Sequence, residues 1–389
     1  MIASARLLHV TTGTDIGGAE MVLFQLLKSV DTTGMHVLSM MEPGPIAQRI
    51  GALGVEMRTL GMHAGERPSV SIMAKLRRMA QDLEPEITQG WMYHGSLAAL
   101  FATRCQRRRG PLIWSIHHGL NGLDNEKPTT RAVIRLLAQL SGQPSAVVYC
   151  ATASARDHER IGFVADKTVV IPNGVDCSLF SPDPSAGARL RQHNGIPAER
   201  KIIGFVGRVH PMKDHRNLIQ AVRILIERGG DVHLVLVGSG DDQTDKMVSR
   251  MIDENGIGDR ATSMGQRHDV PAIVSGFDVF CLPSAWGEAF PMVICEAMAS
   301  AVPCVVTDVG DAALIVGETG RVVPTQDSKA LADALEQIIG DGRGSLSARG
   351  QAARHRIATE FPLAKMVAAY QDLNDRLIED WWRRTQLVG

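Results

Sequence analysis

The sequence predicts an α/β protein with two parallel-sheet domains, and three observations carry that prediction. Short apolar runs rich in β-branched residues alternate with helix-like segments from Arg6 to Cys150, the pattern of a parallel sheet covered by helices on both faces. A Pro/Ser-rich stretch, residues 181–187, interrupts the pattern, and the alternation restarts at residues 201–207. A chain of 389 residues, 44% of them hydrophobic, can bury two cores rather than one. The domain boundary is expected at 178/179.

The first strand, residues 6–12 (RLLHVTT), runs into residues 13–20, and an apolar helix over 21–30 follows. Gly17 and Gly18 let the backbone approach a ligand closely at a helix start. The loop is not a dinucleotide fingerprint, because it lacks GxGxxG and a well-placed acidic residue about 20 positions on. A tight strand-to-helix turn and a binding loop are both open. Further strands are expected at 36–41, 55–60, 87–91, 112–117 and 146–150. Ligands of such sheets gather at the carboxyl ends of the strands, which singles out residues 13–18, 91–95 and His117-His118-Gly119. A histidine there can do acid/base or hydrogen-bonding work at neutral pH, or be a surface histidine in a loop. Two basic clusters, Lys75–Arg78 and Arg104–Arg109, are expected to follow or end helices. They read either as solvated cations at helix ends or as contacts to anionic lipid or a lipid-linked diphosphate. Residues 169–176 (VVIPNGVD) close this half with a strand and a turn.

Composition narrows the field. A net charge of -1 points to no nucleic acid or acidic polymer. Six cysteines lack metal-ligand spacing and suit reduced thiols of a cytoplasmic protein. Residues 1–6 do not resemble a signal peptide, and no apolar run approaches the roughly 20 residues of a membrane span. The expectation is a cytoplasmic protein, at most peripheral on the inner face of a membrane.

The second half starts with a strand at 201–207 that leads into Arg208–His215 and a helix over 217–228. Arg208 at a strand end and Lys213 in the next loop suit a diphosphate: the guanidinium grips two oxygens and the ammonium adds a compact charge. Two surface cations in a polar loop is the alternative. Strands at 232–237 and 262–265 follow, the latter leading into Arg267 and Val270. The chain then reaches Ser284–Glu296, SAWGEAFPMVICE, between an apolar strand and a helix with Pro291 expected in its first turn. That helix start is an anion site. Glu296, one turn in, leans back toward it, and a carboxylate beside a phosphate site selects ribose hydroxyls. Two Glu residues acting only as dipole partners is the competing explanation. Strands at 304–306 and 320–324 and helices at 329–339 and 361–384 complete the chain. Trp381 and Trp382 are expected to pack on the other domain.

Taken as a set, GGAE (17–20), SIHHG (115–119), IPNGVD (171–176), GFVGRVHPMKDHRNLIQAV (204–222), LVGSGDD (236–242) and PSAWGEAFPMVICEAMASAVPCVVTDVG (283–310) resemble the retaining family-4 glycosyltransferases. The resemblance runs from about Arg6 to Phe361, and the Glu288/Glu296 pair is its most specific member. It implies the GT-B fold: two Rossmann-like domains (1–178 and 179–360) facing a central cleft, with a C-terminal helix (361–389) returning to the N-terminal domain. It implies a nucleotide-diphosphate sugar donor, a UDP-sugar first, and no metal or other cofactor. Arg208 and Lys213 match the diphosphate clamp, Glu296 the ribose carboxylate, and Glu288 the residue near the reacting carbon. Ala289, Phe290, Pro291, Met292 and Val293 fall at the phosphate- and sugar-facing helix start. Gly17 and Gly18 match the N-terminal glycine loop, Arg267 and Val270 the base contact, and His117 the active-site histidine, with His118 competing. The chain departs from the family at Ala289, at Ser300-Ala301, and at Gly310–Ala313, which lacks Gly-Gly-x-x-Glu. These leave the donor sugar open.

The implied reaction is transfer of a sugar to an acceptor hydroxyl with retention, in surface polysaccharide or glycolipid assembly, on an acceptor glycan that can be lipid-linked. Two rivals are carried: a glycoside hydrolase using Glu288 and Glu296, and a non-catalytic sugar-nucleotide-binding protein.

Overall fold

The computed structural model describes residues 6–340 and 342–386. The chain divides into two compact units, one made of residues 1–174 and 363–389 and the other of Val175–Pro362.

The N-terminal unit holds seven strands: β1 (Leu7–Thr11), β2 (Met35–Met41), β3 (Glu56–Met62), β4 (Ile87–Trp91), β5 (Leu112–Ile116), β6 (Ala146–Tyr149) and β7 (Thr168–Val170). They form one all-parallel sheet in the order β3-β2-β1-β4-β5-β6-β7. β1, β4, β5 and β6 are buried along their whole length, which is why β5 and β6 read as mostly apolar runs rather than alternating ones, whereas β4 buries Thr88 and Gln89 as well, Gln89 donating to the Ser115 hydroxyl at 2.7 Å. One face of the sheet is covered by the helices Val70–Leu83, Met92–Cys105 and Pro128–Leu140. The other is covered by the helix Gly18–Lys28 and by the last helix, Leu363–Gln386, which buries Met366, Val367, Tyr370, Leu373 and Ile378 there. Trp381 and Trp382 lie with Arg6, Glu86 and Arg108 around a cavity of this unit. Lys75, Arg77 and Arg78 fall inside the Val70–Leu83 helix rather than at its end, because an apolar stripe of Leu76, Ala80 and Leu83 carries it on to Leu83.

The C-terminal unit holds β8 (Lys201–Val206), β9 (Val232–Val237), β10 (Ala261–Ser263), β11 (Val279–Leu282), β12 (Cys304–Thr307) and β13 (Arg321–Val323). These too are all parallel, in the order β10-β9-β8-β11-β12-β13. In both sheets the strand order reverses once, between β1 and β4 and between β8 and β11. Such a switch opens a crevice at the carboxyl ends of the two strands, so topology alone marks the loops after β8 and β11. The helix that follows β11 is Met292–Ala299, and Pro291 caps it from just outside, in extended backbone, instead of occupying its first turn. A helix over Gly342–Glu360 has no counterpart in the sequence-based expectations.

Candidate functional site

At the β8/β11 switch the chain builds a charged cluster from two loops. After β8, a short 3-10 turn, Pro211–Lys213, is started by His210, whose Nδ1 accepts the Met212 N–H at 3.2 Å. It ends at Asp214, in left-handed backbone (φ 46°), whose carboxylate caps the helix His215–Glu227 by accepting the Asn217 N–H. Lys213 is thereby held between two fixed turns. Its Nζ lies 2.6 Å from Glu288 Oε1, and the buried Ser284 hydroxyl donates to the same oxygen at 2.6 Å. The Ser284 carbonyl accepts from Thr307 Oγ1 at 2.6 Å, and the Ala285 N–H donates to the Met212 carbonyl at 2.8 Å. Loops after β8, β11 and β12 are thus tied into one body.

Glycine is required at two points of that body. Gly287 (φ +77°) sits under Met212, where a Cβ would come within 2.6 Å of the sulfur. Gly310 (φ +60°) sits under the Glu288 and Ala289 carbonyls, with room for a Cβ only at 2.4 and 2.6 Å. The Asp311 N–H donates to the Ala289 carbonyl at 2.9 Å. The path from Glu288 to Met292 is therefore pinned from below, with its helix N-terminus at the end of β11.

Behind Lys213, His215 packs edge-on against Phe205, and burial, with the Lys213 charge, lowers its pKa to about 4. It adds no charge at neutral pH. Arg208 is exposed and has no partner among the described residues. The Glu296 carboxylate, in the second turn of the Met292–Ala299 helix, likewise has no hydrogen-bonding or cationic partner among them. Burial raises its pKa to about 7. An acidic group held at the cost of its hydration and left with open acceptor sites is suited to hydroxyl donors. Ala289 and Phe290 are buried, Phe290 edge-on to Phe361, and Met292 and Val293 are partly exposed.

Arg267 pairs with its neighbour Asp269 through two 2.8 Å hydrogen bonds. It lines a different cavity, with His193 and Asn194, while Val270 begins a short helix, Val270–Val274. Among the described residues no hydrogen bond or ion pair joins Arg267 or Val270 to Lys213, Glu288 or Glu296. Ser284 and Thr307 join this cluster through their hydrogen bonds, and neither is among the candidate residues expected from the sequence. The only signal for Ser284 was its place four residues before Glu288.

In the N-terminal unit Gly17 caps the helix Gly18–Lys28 in extended backbone, and a Cβ there would meet only the movable end of Glu20; at Gly18 it would meet nothing. What these glycines supply is space. Glu20, in the first turn, has its pKa raised mainly by burial, with Asp15 adding to it. The two histidines after β5 part company. His117 stacks on Trp91 (5.2 Å, 18°), its ring nitrogens are buried without a well-formed hydrogen bond among the described residues, and burial drops its pKa to about 4 despite the nearby Asn173. It is neutral at physiological pH and can act as a hydrogen-bonding group, not as a proton store. His118 instead pairs with Glu126 (Nε2 to Oε1, 2.7 Å) and lines a cavity of about 260 Å³ with Thr12, Glu20, Tyr93 and His94. The cavity sits where β1, β4 and β5 end.

Among the described residues no helix is long and apolar enough to cross a membrane, and no group of three or more His, Cys, Asp or Glu is placed to hold a metal ion.

Residues 16–179 match the family model described as Glycosyltransferase Family 4, and residues 200–341 the one described as Glycosyl transferases group 1. The chain is 31% identical over 211 residues to the UDP-Gal:alpha-D-GlcNAc-diphosphoundecaprenol alpha-1,3-galactosyltransferase of Escherichia coli, covering 53% of this chain and 54% of that one. It is 31% identical over 265 residues to the D-inositol 3-phosphate glycosyltransferase of Corynebacterium urealyticum, covering 64% and 61%. The chain thus spans between half and two thirds of the length of these relatives. Against the putative glycosyltransferase EpsF of Bacillus subtilis it is 26% identical over 310 residues, covering 78% and 79%. Among solved structures, Anabaena Alr3699/HepE in complex with UDP superimposes with a TM-score of 0.84 at 22% identity, covering 95% of this chain and all of that one.

Proposed function

We propose that this chain, which belongs to the family 4, group 1 glycosyltransferases and has their GT-B fold of two parallel-sheet α/β units, moves a sugar from a nucleotide diphosphate to an acceptor hydroxyl with retention. The observation that carries the reading is the cluster at the β8/β11 switch. A clamped lysine and a helix start stand on loops that share hydrogen bonds, and that helix carries an unpartnered carboxylate, Glu296. Lys213, Arg208 and the N–H groups at the start of the Met292–Ala299 helix stabilise the diphosphate as it leaves. Stabilisation of charge at the moment it develops is the largest contribution an enzyme of this kind can make. Glu296 accepts from the ribose hydroxyls. Glu288, held by Lys213 and Ser284, accepts from the sugar near the reacting carbon. The leaving phosphate takes the acceptor proton on the same face of the sugar, since no side chain of the cluster is placed as a covalent nucleophile. The cations do the work a divalent metal would otherwise do. A hydrolase reading gains nothing from a carboxylate tied to an ammonium at 2.6 Å.

A UDP-sugar is the donor we favour, because the solved relatives include HepE bound to UDP and to UDP-glucose. On the N-terminal side we assign the acceptor to the cavity of His118, Glu126 and Glu20, with His117 a neutral hydrogen-bond partner and Gly17 and Gly18 leaving room for the ligands. The acceptor is a glycan on a lipid carrier, as the name of the Escherichia coli relative suggests. The protein would meet it at a membrane surface.

A thermal-shift screen over UDP-, GDP-, ADP- and dTDP-sugars tests the donor. At a hundredfold excess over Kd, the favoured ligand stabilises by about 2.7 kcal/mol, or a rise in Tm of roughly 5 °C. Glu296 must be ionised to accept two hydroxyls, and its pKa in the free protein is about 7. The ligand-induced rise is therefore full at pH 8 and shrinks as pH falls through 7. In Glu296→Gln the rise is smaller at pH 8 and loses that part of its pH dependence. No stabilisation by any nucleotide sugar would count against the assignment.

A further inference from the structure

We propose that the cavity enclosed by the helices Val70–Leu83, Met92–Cys105 and Pro128–Leu140 holds the hydrocarbon tail of the lipid-linked acceptor. This inference rests on the acceptor assignment just made for the His118–Glu126 cavity. The tail cavity measures about 450 Å³, within the range of small-molecule sites. Its walls are apolar, Met40, Met62, Ile72, Leu97, Phe101 and Leu136 among them, and only His94 and Arg104 bring polar side chains to it. Flexible methionines suit a chain of variable conformation better than a rigid ring. It opens to the surface beside Leu136, which is 41% exposed.

Two features say what kind of molecule fills it. His94 lines both this cavity and the polar one that holds His118, Glu126 and Glu20. One side chain therefore separates an apolar compartment from a hydrogen-bonding one, the division found within an amphiphile. No hydrogen-bond or charged partner for His94 is present among the described residues, so it is free to bond the junction between head and tail. The charge on a flanking helix and at Arg104 selects the setting. Lys75, Arg77 and Arg78 are exposed on the Val70–Leu83 helix, and Arg104 stands at the rim. A second copy of the same face would oppose cations with cations, whereas an anionic bilayer surface complements them. A lipid rising from such a bilayer can put its tail in the cavity and its head toward His118.

Calorimetric titration of the full chain with butyl, octyl and dodecyl phosphate, all below their micelle concentrations, tests this, with UDP titrated separately. Dodecyl phosphate is expected to bind at least a hundredfold more tightly than butyl phosphate, since each buried methylene contributes about 0.8 kcal/mol at best. Leu136→Asp puts a charge at the exposed mouth and Met73→Trp fills the interior. Each should weaken dodecyl phosphate at least thirtyfold and leave butyl phosphate and UDP unchanged. Affinity independent of chain length, or variants that bind dodecyl phosphate like the wild type, would overturn the proposal. So would a wild-type dimer in sedimentation that Leu136→Asp dissolves. Failure of UDP to bind the wild type counts against the donor assignment alone, because chain-length dependence is read without it.

Discussion

Replacing Lys213 with alanine is expected to lower kcat by about 10³-fold or more while the protein stays folded. Removing a single preorganised donor to developing charge costs about 10²–10³ in rate. Lys213 carries a full charge, so the upper end applies. The substitution has a second consequence. Lys213 and Glu288 face each other at 2.6 Å with side chains only 13% and 9% exposed, and removing one partner of such a pair leaves the other short of compensation. Ser284 still donates to Glu288, so the loss of stability should be about 1–3 kcal/mol rather than the larger cost of a fully orphaned ion. The double variant Lys213→Ala/Glu288→Gln separates the effects: it removes the stranded charge and should recover most of the Tm, yet none of the activity. Single-turnover transfer and thermal denaturation of the three proteins check this. Near-normal turnover in Lys213→Ala would remove the clamp.

Gly310→Ala should be nearly as damaging although residue 310 has no side chain to offer a ligand. Left-handed backbone costs alanine about 1 kcal/mol relative to glycine. Here the new methyl would also lie 2.4 Å from the Glu288 carbonyl and 2.6 Å from that of Ala289, and backbone cannot swing aside as a side chain can. The segment carrying Glu288 and the helix start must shift, and the Asp311–Ala289 hydrogen bond of 2.9 Å with it. A loss of about 2–4 kcal/mol in stability and at least tenfold in UDP affinity is expected. Gly256 supplies the control, with φ +65° and nothing within 4 Å of the place a methyl would take. Gly256→Ala should cost only the backbone part, about 1 kcal/mol, with UDP affinity unchanged. Chemical denaturation and calorimetry on both variants measure the difference. Equal losses would show that the contact beneath Glu288 is unimportant.

How much of this could be read from the chain follows from what each feature depends on. Leu112–Ile116 and Val232–Val237 stand at the expected positions, because strands buried on both faces are mostly apolar and such runs are visible locally. The helix Gly342–Glu360 was not visible. Its sequence, GRGSLSARGQAARHRIATE, has glycines and serines where helix formers are wanted. Packing overrides propensity there: Leu346, Ala353 and Ile357 are buried, and Gly350 passes so close to Ala301 that a Cβ would lie 2.0 Å from its carbonyl oxygen. The glycine that weakens the helix is what lets it dock.

The site divides the same way. That Arg208, Lys213, Glu288 and Glu296 follow two strand ends was legible from the rule for parallel sheets. That Lys213 and Glu288 form an ion pair was not, since 75 residues separate them and only the β8–β11 pairing brings them together. His117 and His118 could not be distinguished because consecutive side chains leaving a strand point to opposite sides. Which one stacks on Trp91 and which reaches Glu126 depends on where β5 ends. Arg267 was expected near a base from its loop alone, and its pairing with Asp269 is a contact between near neighbours that no motif announces.

The most direct measurement is a crystal structure of the chain with UDP. It should show diphosphate oxygens within hydrogen-bonding distance of Lys213 Nζ, the Arg208 guanidinium and the first N–H groups of the Met292–Ala299 helix, with both ribose hydroxyls on the Glu296 carboxylate. A UDP molecule whose diphosphate lies away from the ends of β8 and β11, or whose ribose leaves Glu296 untouched, would contradict it.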